Sequence, residues 1–116
     1  MILIVDDDLD VCRLLEFKLK ATGYDSTALH DGREALDYVE KHNPDLILLD
    51  AMLPGFDGFY VLREIRKENR SVPIIMLTAK GQENDVLMGL EDGANDYLTK
   101  PFSPAEVVLR CKRWLG

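Results

Sequence analysis

The segment PDLILLDAMLPGFDG, residues 44–58, places a carboxylate directly after a run of residues typical of a buried strand. Leu46–Leu49 are all aliphatic, as expected for a strand that is covered on both faces of a sheet. Asp50 follows at once, and the proline and glycines of PGFDG then indicate a loop. The pattern therefore predicts a buried strand that ends on an acid before the chain turns away.

Short strand candidates alternate with longer segments of helical periodicity along the whole chain. The strand candidates are ILIV (2–5), DSTAL (25–29), LILL (46–49), PIIML (73–77) and DYLT (96–99). Five helices are indicated by apolar residues that share a face. These residues are Val11, Cys12, Leu15 and Leu19; Ala35, Leu36 and Val39; Leu62 and Ile65; Leu87, Leu90 and Ala94; and Val107, Val108, Cys111 and Leu115.

Alternating strands and helices predict a parallel sheet with helices on both faces. The first, third and fourth strands are continuously apolar, which suits central strands, whereas the second and fifth carry polar residues and suit edges. We therefore predict one α/β domain, residues 1–116, with the doubly wound, flavodoxin-like (βα)5 fold and a five-stranded sheet in the order 2-1-3-4-5. Ligands of such folds bind beyond the carboxyl ends of the strands, where the strand order reverses.

Composition excludes several classes of partner. The net charge of −7 disfavours direct contact with nucleic acid, because phosphate backbones are themselves anionic. No apolar run approaches the roughly 18 residues of a membrane helix, so we expect no membrane association. Cys12 and Cys111 lack metal-ligand spacing and are interpreted as buried free thiols, which predicts a cytoplasmic protein. His30 and His42 have no partners at ligand spacing and are interpreted as solvated.

Polar side chains stand where four of the predicted strands end. Because the carboxyl ends of parallel strands meet at one edge of a sheet, we expect these side chains to lie close together. They are Asp6, Asp7 and Asp8 after the first strand, Asp50 after the third, Thr78 after the fourth and Lys100 after the fifth.

Several carboxylates at one edge predict a cation site. Neighbouring carboxylates repel one another unless a cation neutralises them, and an all-oxygen ligand set favours Mg²⁺. Lys100 adds a second positive charge, and Thr78 adds a hydroxyl group. Together these groups are suited to receive a phosphoryl group, with Asp50 as the nucleophile and the metal shielding its charge.

Helix capping is the competing interpretation of an acid that follows a strand. We prefer it for Asp8, which is better placed as a cap than as a metal ligand. Asp31 is likewise predicted to cap the second helix, and Ser103 with Pro104 marks the start of the last one. Capping explains Asp50 less well, because the other polar residues are gathered at the same edge.

The motifs ILIVDDD, PDLILLDAMLPGFDG, PIIMLTA and GANDYLTKPF occur in an order and spacing that resemble the receiver domain of bacterial two-component response regulators. The resemblance extends from Met1 to Trp114. It implies that Asp50 accepts a phosphoryl group from the phosphohistidine of a sensor histidine kinase. The domain would thus be a phosphoacceptor switch that assists its own phosphorylation and dephosphorylation, rather than a conventional enzyme.

The resemblance also implies roles for the other residues of the site. Mg²⁺ would be bound directly by Asp7, Asp50 and the backbone carbonyl of Met52, and through water by Asp6. Lys100 would contact a phosphoryl oxygen. The switch residues would be Thr78, which moves towards the phosphate, and Tyr97, which moves inward after it. We also predict a cis Lys100–Pro101 bond, because the ammonium must turn back into the cleft.

We call the surface formed by the fourth predicted helix, the fifth strand and the C-terminal helix the output face. The segment from Gly89 to Gly116 most resembles receivers that are attached to winged-helix DNA-binding domains, which predicts a fused transcriptional output domain. Such receivers pair through the output face as symmetric dimers. The expected ion pairs across that dimer are Asp96 with Arg110, and Glu91 or Asp92 with Lys112.

The dimer is expected to be weak and to be favoured by phosphorylation. Met88 stands where the family usually has a basic residue, so that Glu106 would lack its partner across the dimer. The alternative is that the charges of this face are merely solvated, in which case each pair contributes less than about 1 kcal/mol.

Two other functions remain alternatives at this point. A haloacid-dehalogenase-type, Mg²⁺-dependent phosphatase would use Asp6 as its nucleophile, but Asp10 stands where a Thr or Val is expected and Asp50 would have no role. A receiver-like binding module that works without phosphorylation is disfavoured because every residue of the site is present. Labelling with acetyl phosphate and Mg²⁺ distinguishes them.

Overall fold

The computed structural model describes residues 1–68, 70–79, 87 and 90–116. Its five strands form one sheet in the order 2-1-3-4-5, and every pair of neighbouring strands is parallel. The predicted fold is therefore confirmed, and each strand begins and ends within two residues of its predicted bounds. The strands are β1 (Ile2–Val5), β2 (Ser26–Leu29), β3 (Leu46–Asp50), β4 (Ile74–Ala79) and β5 (Asp96–Lys100).

Four helices are described along their whole length and are labelled α1 to α4. They are α1 (Leu9–Ala21), α2 (Gly32–His42), α3 (Gly58–Lys67) and α4 (Pro104–Leu115). Helix α4 is thus the fifth of the predicted helices. Of the fourth, Leu87, Leu90 and Glu91 are helical, and most of the segment, Met88 included, lies outside the described residues.

The sheet separates two apolar layers, because successive strand residues point to opposite faces. One layer contains Ile2 and Ile4 with buried residues of α1 and α4, and the other contains Leu3 and Val5 with buried residues of α2 and α3. Cys12 and Cys111 are buried free thiols, as predicted. Burial raises the pKa of each to about 12, so both remain protonated at neutral pH.

The helix caps follow the sequence prediction. The Asp8 side chain accepts hydrogen bonds from the backbone N–H groups of Asp10 and Val11, so its preferred interpretation as a cap is confirmed. Asp31 caps α2, and Ser103 caps α4 by accepting from the N–H of Glu106. None of the described helices has the length and apolar character needed to cross a membrane.

Candidate functional site

The predicted site residues gather at the carboxyl edge of the sheet. Asp6 follows β1 directly, Asp50 is the last residue of β3, and Lys100 is the last residue of β5. Asp6 and Asp50 are almost fully enclosed, with 0% and 6% of the residue surface exposed. The fold therefore brings two buried carboxylates and a lysine from three separate strands into one cluster.

Asp6 is held from several directions. Its backbone N–H donates to the carbonyl of Leu29 at 3.1 Å, and its Oδ1 accepts from the N–H of Asp8 at 2.9 Å. Its Oδ2 lies 2.8 Å from Nζ of Lys100 as an ion pair, although it accepts no well-aligned hydrogen bond from any described residue. An under-satisfied buried carboxylate oxygen of this kind is suited to a further cationic or water ligand.

Asp50 has an environment that disfavours its charge. Oδ1 accepts from the N–H of Met52 at 3.1 Å, and Oδ2 lies 3.2 Å from Nζ of Lys100. Burial raises the pKa of Asp50 to about 6, and the charge of Asp6 acts in the same direction. The Met52 N–H and the Lys100 ammonium oppose this rise but do not cancel it. Asp50 is consequently ionised at neutral pH and takes up a proton in mildly acidic solution.

Lys100 joins the two buried acids. Burial tends to lower its pKa, but the ion pairs with Asp6 and Asp50 outweigh this effect, and its pKa is raised overall. The Lys100–Pro101 peptide bond is cis, as predicted. The ammonium is therefore a fixed positive charge at the centre of the cluster.

Three carboxylates are close enough to share a metal ion. Asp6, Asp7 and Asp50 each offer an oxygen, and these oxygens all lie within 4.8 Å of one another. Asp7 is exposed, so the cluster opens to solvent on its side. An all-oxygen set that is open on one side fits Mg²⁺, which keeps several of its waters when it binds protein carboxylates. Met52, whose backbone carbonyl is the other predicted ligand, is 64% exposed.

The two predicted switch residues lie on β4 and β5. Thr78 is buried, and its Oγ1 donates a long hydrogen bond of 3.4 Å to the carbonyl of Leu98. Tyr97 is 41% exposed, so its ring is not enclosed in the sheet layer. Neither side chain has a described hydrogen bond with the carboxylates of Asp6 or Asp50.

The loop that follows Asp50 is held by close backbone contacts at two glycines. The Gly58 N–H donates to the carbonyl of Ala51 at 3.0 Å, and a Cβ at Gly58 would lie 2.0 Å from the carbonyl oxygen of Asp50. A Cβ at Gly32 would lie 2.1 Å from the carbonyl oxygen of Phe56. The sequence indicated that Gly58 belongs to a loop, but it is the first residue of α3, and its close approach to Asp50 was not predicted.

The sequence analysis predicted a solvated His30, and this prediction is wrong. Its Nδ1 lies 3.0 Å from the carbonyl oxygen of Asp6, and the side chain is partly buried rather than solvated. A signal was available, because the two strands pair in register up to Val5 and Leu29 and the next residues are Asp6 and His30. His42 is exposed, as predicted, and stacks on Tyr38 with ring centroids 4.2 Å apart.

Several charged residues of the output face are paired within the chain. Asp96 lies 2.9 Å from Arg110 and accepts a hydrogen bond of 3.1 Å from the indole of Trp114. Asp92 pairs with Arg63 at 3.3 Å, and Glu106 lies 3.9 Å from Arg110, so neither acid is isolated in the monomer.

This architecture defines a class of protein: a doubly wound α/β domain with an acidic cluster and a lysine at the carboxyl edge of its sheet. The family model of the response regulator receiver domain matches residues 2–112. The chain belongs to this family.

Solved structures of similar proteins agree with this assignment. The receiver domain of Francisella response regulator 1452 is 37% identical, with a TM-score of 0.93 over 98% of this chain and 94% of that one. A putative response regulator from Chloroflexus aurantiacus is 43% identical, with a TM-score of 0.92 over 98% and 95% of the two chains. NtrX from Brucella abortus is 31% identical, with a TM-score of 0.92, and the match covers 98% of this chain but 26% of that longer one.

Proposed function

We propose that this receiver domain accepts a phosphoryl group on Asp50 from the phosphohistidine of a sensor histidine kinase, in a Mg²⁺-dependent reaction. The observation that carries the proposal is the position of Lys100, whose ammonium lies within 3.2 Å of both buried acids. A lysine between an under-satisfied carboxylate and a second carboxylate at the open edge of a sheet is suited to hold the oxygens of a phosphoryl group.

The chemistry requires ionised Asp50. One carboxylate oxygen of Asp50 forms the new bond to phosphorus, the bond from phosphorus to the histidine nitrogen breaks, and its electron pair remains on that nitrogen. Lys100 would leave its ion pair with Asp50 and bind a phosphoryl oxygen instead. Because the pKa of Asp50 is about 6, the nucleophile is available at neutral pH.

Mg²⁺ would be held by Asp7, Asp50 and the backbone carbonyl of Met52, and by Asp6 through water. The fit rests on the three carboxylate oxygens that lie within 4.8 Å of one another. When it is bound, the ion neutralises charge on the carboxylates and on the phosphoryl oxygens.

Phosphorylation is proposed to act on the output face through Thr78 and Tyr97. A phosphoryl group adds almost two negative charges and new acceptor oxygens. The Thr78 hydroxyl, now on a long hydrogen bond to Leu98, gains a stronger acceptor by turning towards Asp50. The space that it leaves then admits the partly exposed ring of Tyr97.

The direct test is incubation with acetyl phosphate and Mg²⁺ followed by intact-mass measurement. We expect one labile acyl phosphate, on Asp50, and none when the metal is chelated. Continuous turnover of a phosphate ester that depends on Asp6 would favour the phosphatase alternative. If the protein binds a partner protein but gains no phosphoryl group, the phosphorylation-independent binding module is favoured.

Asp7→Asn is expected to weaken Mg²⁺ binding by about tenfold or more, whereas Asp8→Asn should change it little. The physical reason is that Asp7 contributes an oxygen to the proposed metal site, while Asp8 caps α1, a role that asparagine also fills. Isothermal titration with MgCl₂ measures both affinities. Equal loss of affinity in the two variants would contradict the proposed ligand set.

The activated protein is expected to form a two-fold dimer through the output face, involving Glu91, Asp96, Arg110 and Lys112. Exposed apolar residues on this face support the proposal, since Leu87, Leu90 and Tyr97 are at least 40% exposed. Asp96 and Arg110 must then give up their ion pair within the chain to form ion pairs across the dimer. The net gain in binding free energy is therefore small. We therefore propose a weak dimer that phosphorylation favours.

Arg110→Glu should make the activated protein monomeric without reducing labelling of Asp50, because it reverses a charge that the proposed interface uses. Sedimentation of protein treated with a phosphate mimic measures the change. Lys41→Glu on the exposed surface of α2 is the matched control and should still dimerise. A monomeric activated parent, or dimerisation unaffected by Arg110→Glu, would show that the interface is wrong.

A fused DNA-binding output domain outside residues 1–116 is part of the same proposal, with the domain described here acting in the cytoplasm and making no direct contact with nucleic acid. It is supported by the match to NtrX, which is a longer chain of which this one covers 26%. The net charge of −7 is consistent with leaving nucleic-acid contacts to another domain.

A further inference from the structure

The backbone carbonyl of Asp6 has two side chains as partners. The Nδ1 atom of His30 lies 3.0 Å from this oxygen, and the Sγ atom of Cys12 lies 3.3 Å from it. Asp6 lies just beyond the end of β1, although its N–H still donates to the carbonyl of Leu29 on β2. The two side chains therefore provide the hydrogen bonds that a neighbouring strand would otherwise give.

The chemistry of the acceptor determines the protonation of both partners. A carbonyl oxygen can only accept, so the hydrogen bond requires His30 to carry its proton on Nδ1. The thiol must also be protonated to donate, which agrees with the pKa of about 12 that burial gives Cys12. The 3.8 Å between Sγ and Nδ1 then separates two donors that converge on one oxygen, rather than a donor and its acceptor.

The two donors are unequal. An imidazole N–H is a strong hydrogen-bond donor, whereas a thiol is a weak one. Without His30, the carbonyl of a fully buried residue would depend mainly on Cys12, and a poorly satisfied buried carbonyl is free to rotate towards another donor. Rotation of that peptide would change the direction of the Asp6 carboxylate, whose Oδ1 bonds the N–H of Asp8 and whose Oδ2 pairs with Lys100.

We propose that His30 is a positioning residue, which orients the carboxylate of Asp6 towards Lys100 and the metal site by donating from Nδ1 to the Asp6 carbonyl. The inference rests on the proposed function for the identity of the metal, but the contact itself is independent of it. His30 touches neither the metal nor the phosphoryl group and acts only through Asp6.

The experiment uses three substitutions at one position and a matched histidine elsewhere. His30→Ala removes the donor, His30→Asn places an amide N–H close to the position of Nδ1, and His30→Gln places one nearer to that of Nε2. His42→Ala, at an exposed histidine, is the control. Each protein is titrated with MgCl₂, and amide hydrogen exchange at Asp6 and Asp8 is measured by NMR without metal.

We expect His30→Ala and His30→Gln to bind Mg²⁺ about three- to tenfold more weakly than the parent and to exchange the Asp8 amide faster. His30→Asn should recover most of both properties, and His42→Ala should match the parent. In the parent, the ¹⁵N spectrum of His30 should show the Nδ1–H form. Unchanged Mg²⁺ affinity in His30→Ala, equal behaviour of the Asn and Gln variants, or an Nε2–H form in the parent would overturn the inference.

Failure of the proposed function would be recognised separately. If the parent binds no Mg²⁺ or gains no acyl phosphate on Asp50, the proposed function is wrong, and the metal-free exchange still decides the role of His30. Faster exchange of the Asp8 amide in His30→Ala but not in His30→Asn would support the positioning role of His30. Equal exchange in the two variants would overturn that role.

Discussion

Asp50→Asn should lose acyl-phosphate formation completely while the fold is retained. The neutral amide of asparagine lacks the anionic oxygen that attacks phosphorus, and Asn occupies almost the same volume as Asp. Intact-mass measurement after treatment with acetyl phosphate and Mg²⁺ tests this directly. Asp57→Asn is a matched control, because Asp57 caps α3 in the same loop and asparagine can also cap a helix. Strong labelling of the Asp50 variant at another residue would contradict the assignment.

The same substitution should stabilise the metal-free protein at neutral pH. Asp50 has a pKa of about 6 in the folded state, above the ordinary aspartate value of 3.8, so the native state holds its proton more tightly than the unfolded state does. Ionised Asp50 therefore lowers the stability of the parent above pH 6, by about 3 kcal/mol at roughly 1.4 kcal/mol per pKa unit. This penalty disappears as the pH falls through 6 towards 4.

Urea unfolding at pH 8 and at pH 5 measures this difference. We expect Asp50→Asn to be more stable than the parent at pH 8 and the gap to narrow at pH 5. Saturating Mg²⁺ should stabilise the parent and not the variant, because the ion binds the carboxylate. A variant less stable than the parent at pH 8 would show that the ion pair with Lys100 outweighs the cost of burial.

Gly58→Ala is expected to destabilise the protein by about 3 kcal/mol or more, which is at the upper end for an overpacked site. The new methyl group would lie 2.0 Å from the carbonyl oxygen of Asp50 and 2.8 Å from Cα of Ala51. Both are backbone atoms, so relief requires the loop after β3 to move. Helix propensity alone would predict the opposite sign, since Gly58 is the first residue of α3 and alanine favours helices.

Urea unfolding and Mg²⁺ titration together test this prediction. The Gly58 variant should lose Mg²⁺ affinity as well as stability, because the displaced atoms belong to Asp50 and the residue after it. Gly23→Ala is the control: its Cβ would meet nothing within 4 Å, but its φ of +98° should cost about 1 kcal/mol without affecting the metal site. Equal losses of stability in the two variants would show that the contact with Asp50 is unimportant.

Much of the fold could be predicted because the local signals agree with the tertiary structure. Leu46–Leu49 are uniformly aliphatic, and β3 is buried along its whole length. Helix α1 begins where the capping pattern of Asp8 places it. The edge of the sheet where the site would lie also follows from the sequence, because parallel strands bring their carboxyl ends together and the polar residues stand at those ends.

The sequence by itself thus determined the order of strands and helices, the family and the composition of the acidic cluster. Only the tertiary structure decided how these groups pair. Lys100 forms ion pairs with both Asp6 and Asp50, and Asp96 forms one with Arg110 of its own chain. The paired residues are 14 to 94 positions apart in the sequence.

The close contact of Gly58 with Asp50 and the hydrogen bond of His30 to Asp6 likewise depend on the three-dimensional path of the backbone. Residue type and local periodicity describe what a side chain can do and which face of an element it occupies. They do not specify which of several acceptors lies within about 3 Å of a donor, because that distance is set by how strands, loops and helices pack together.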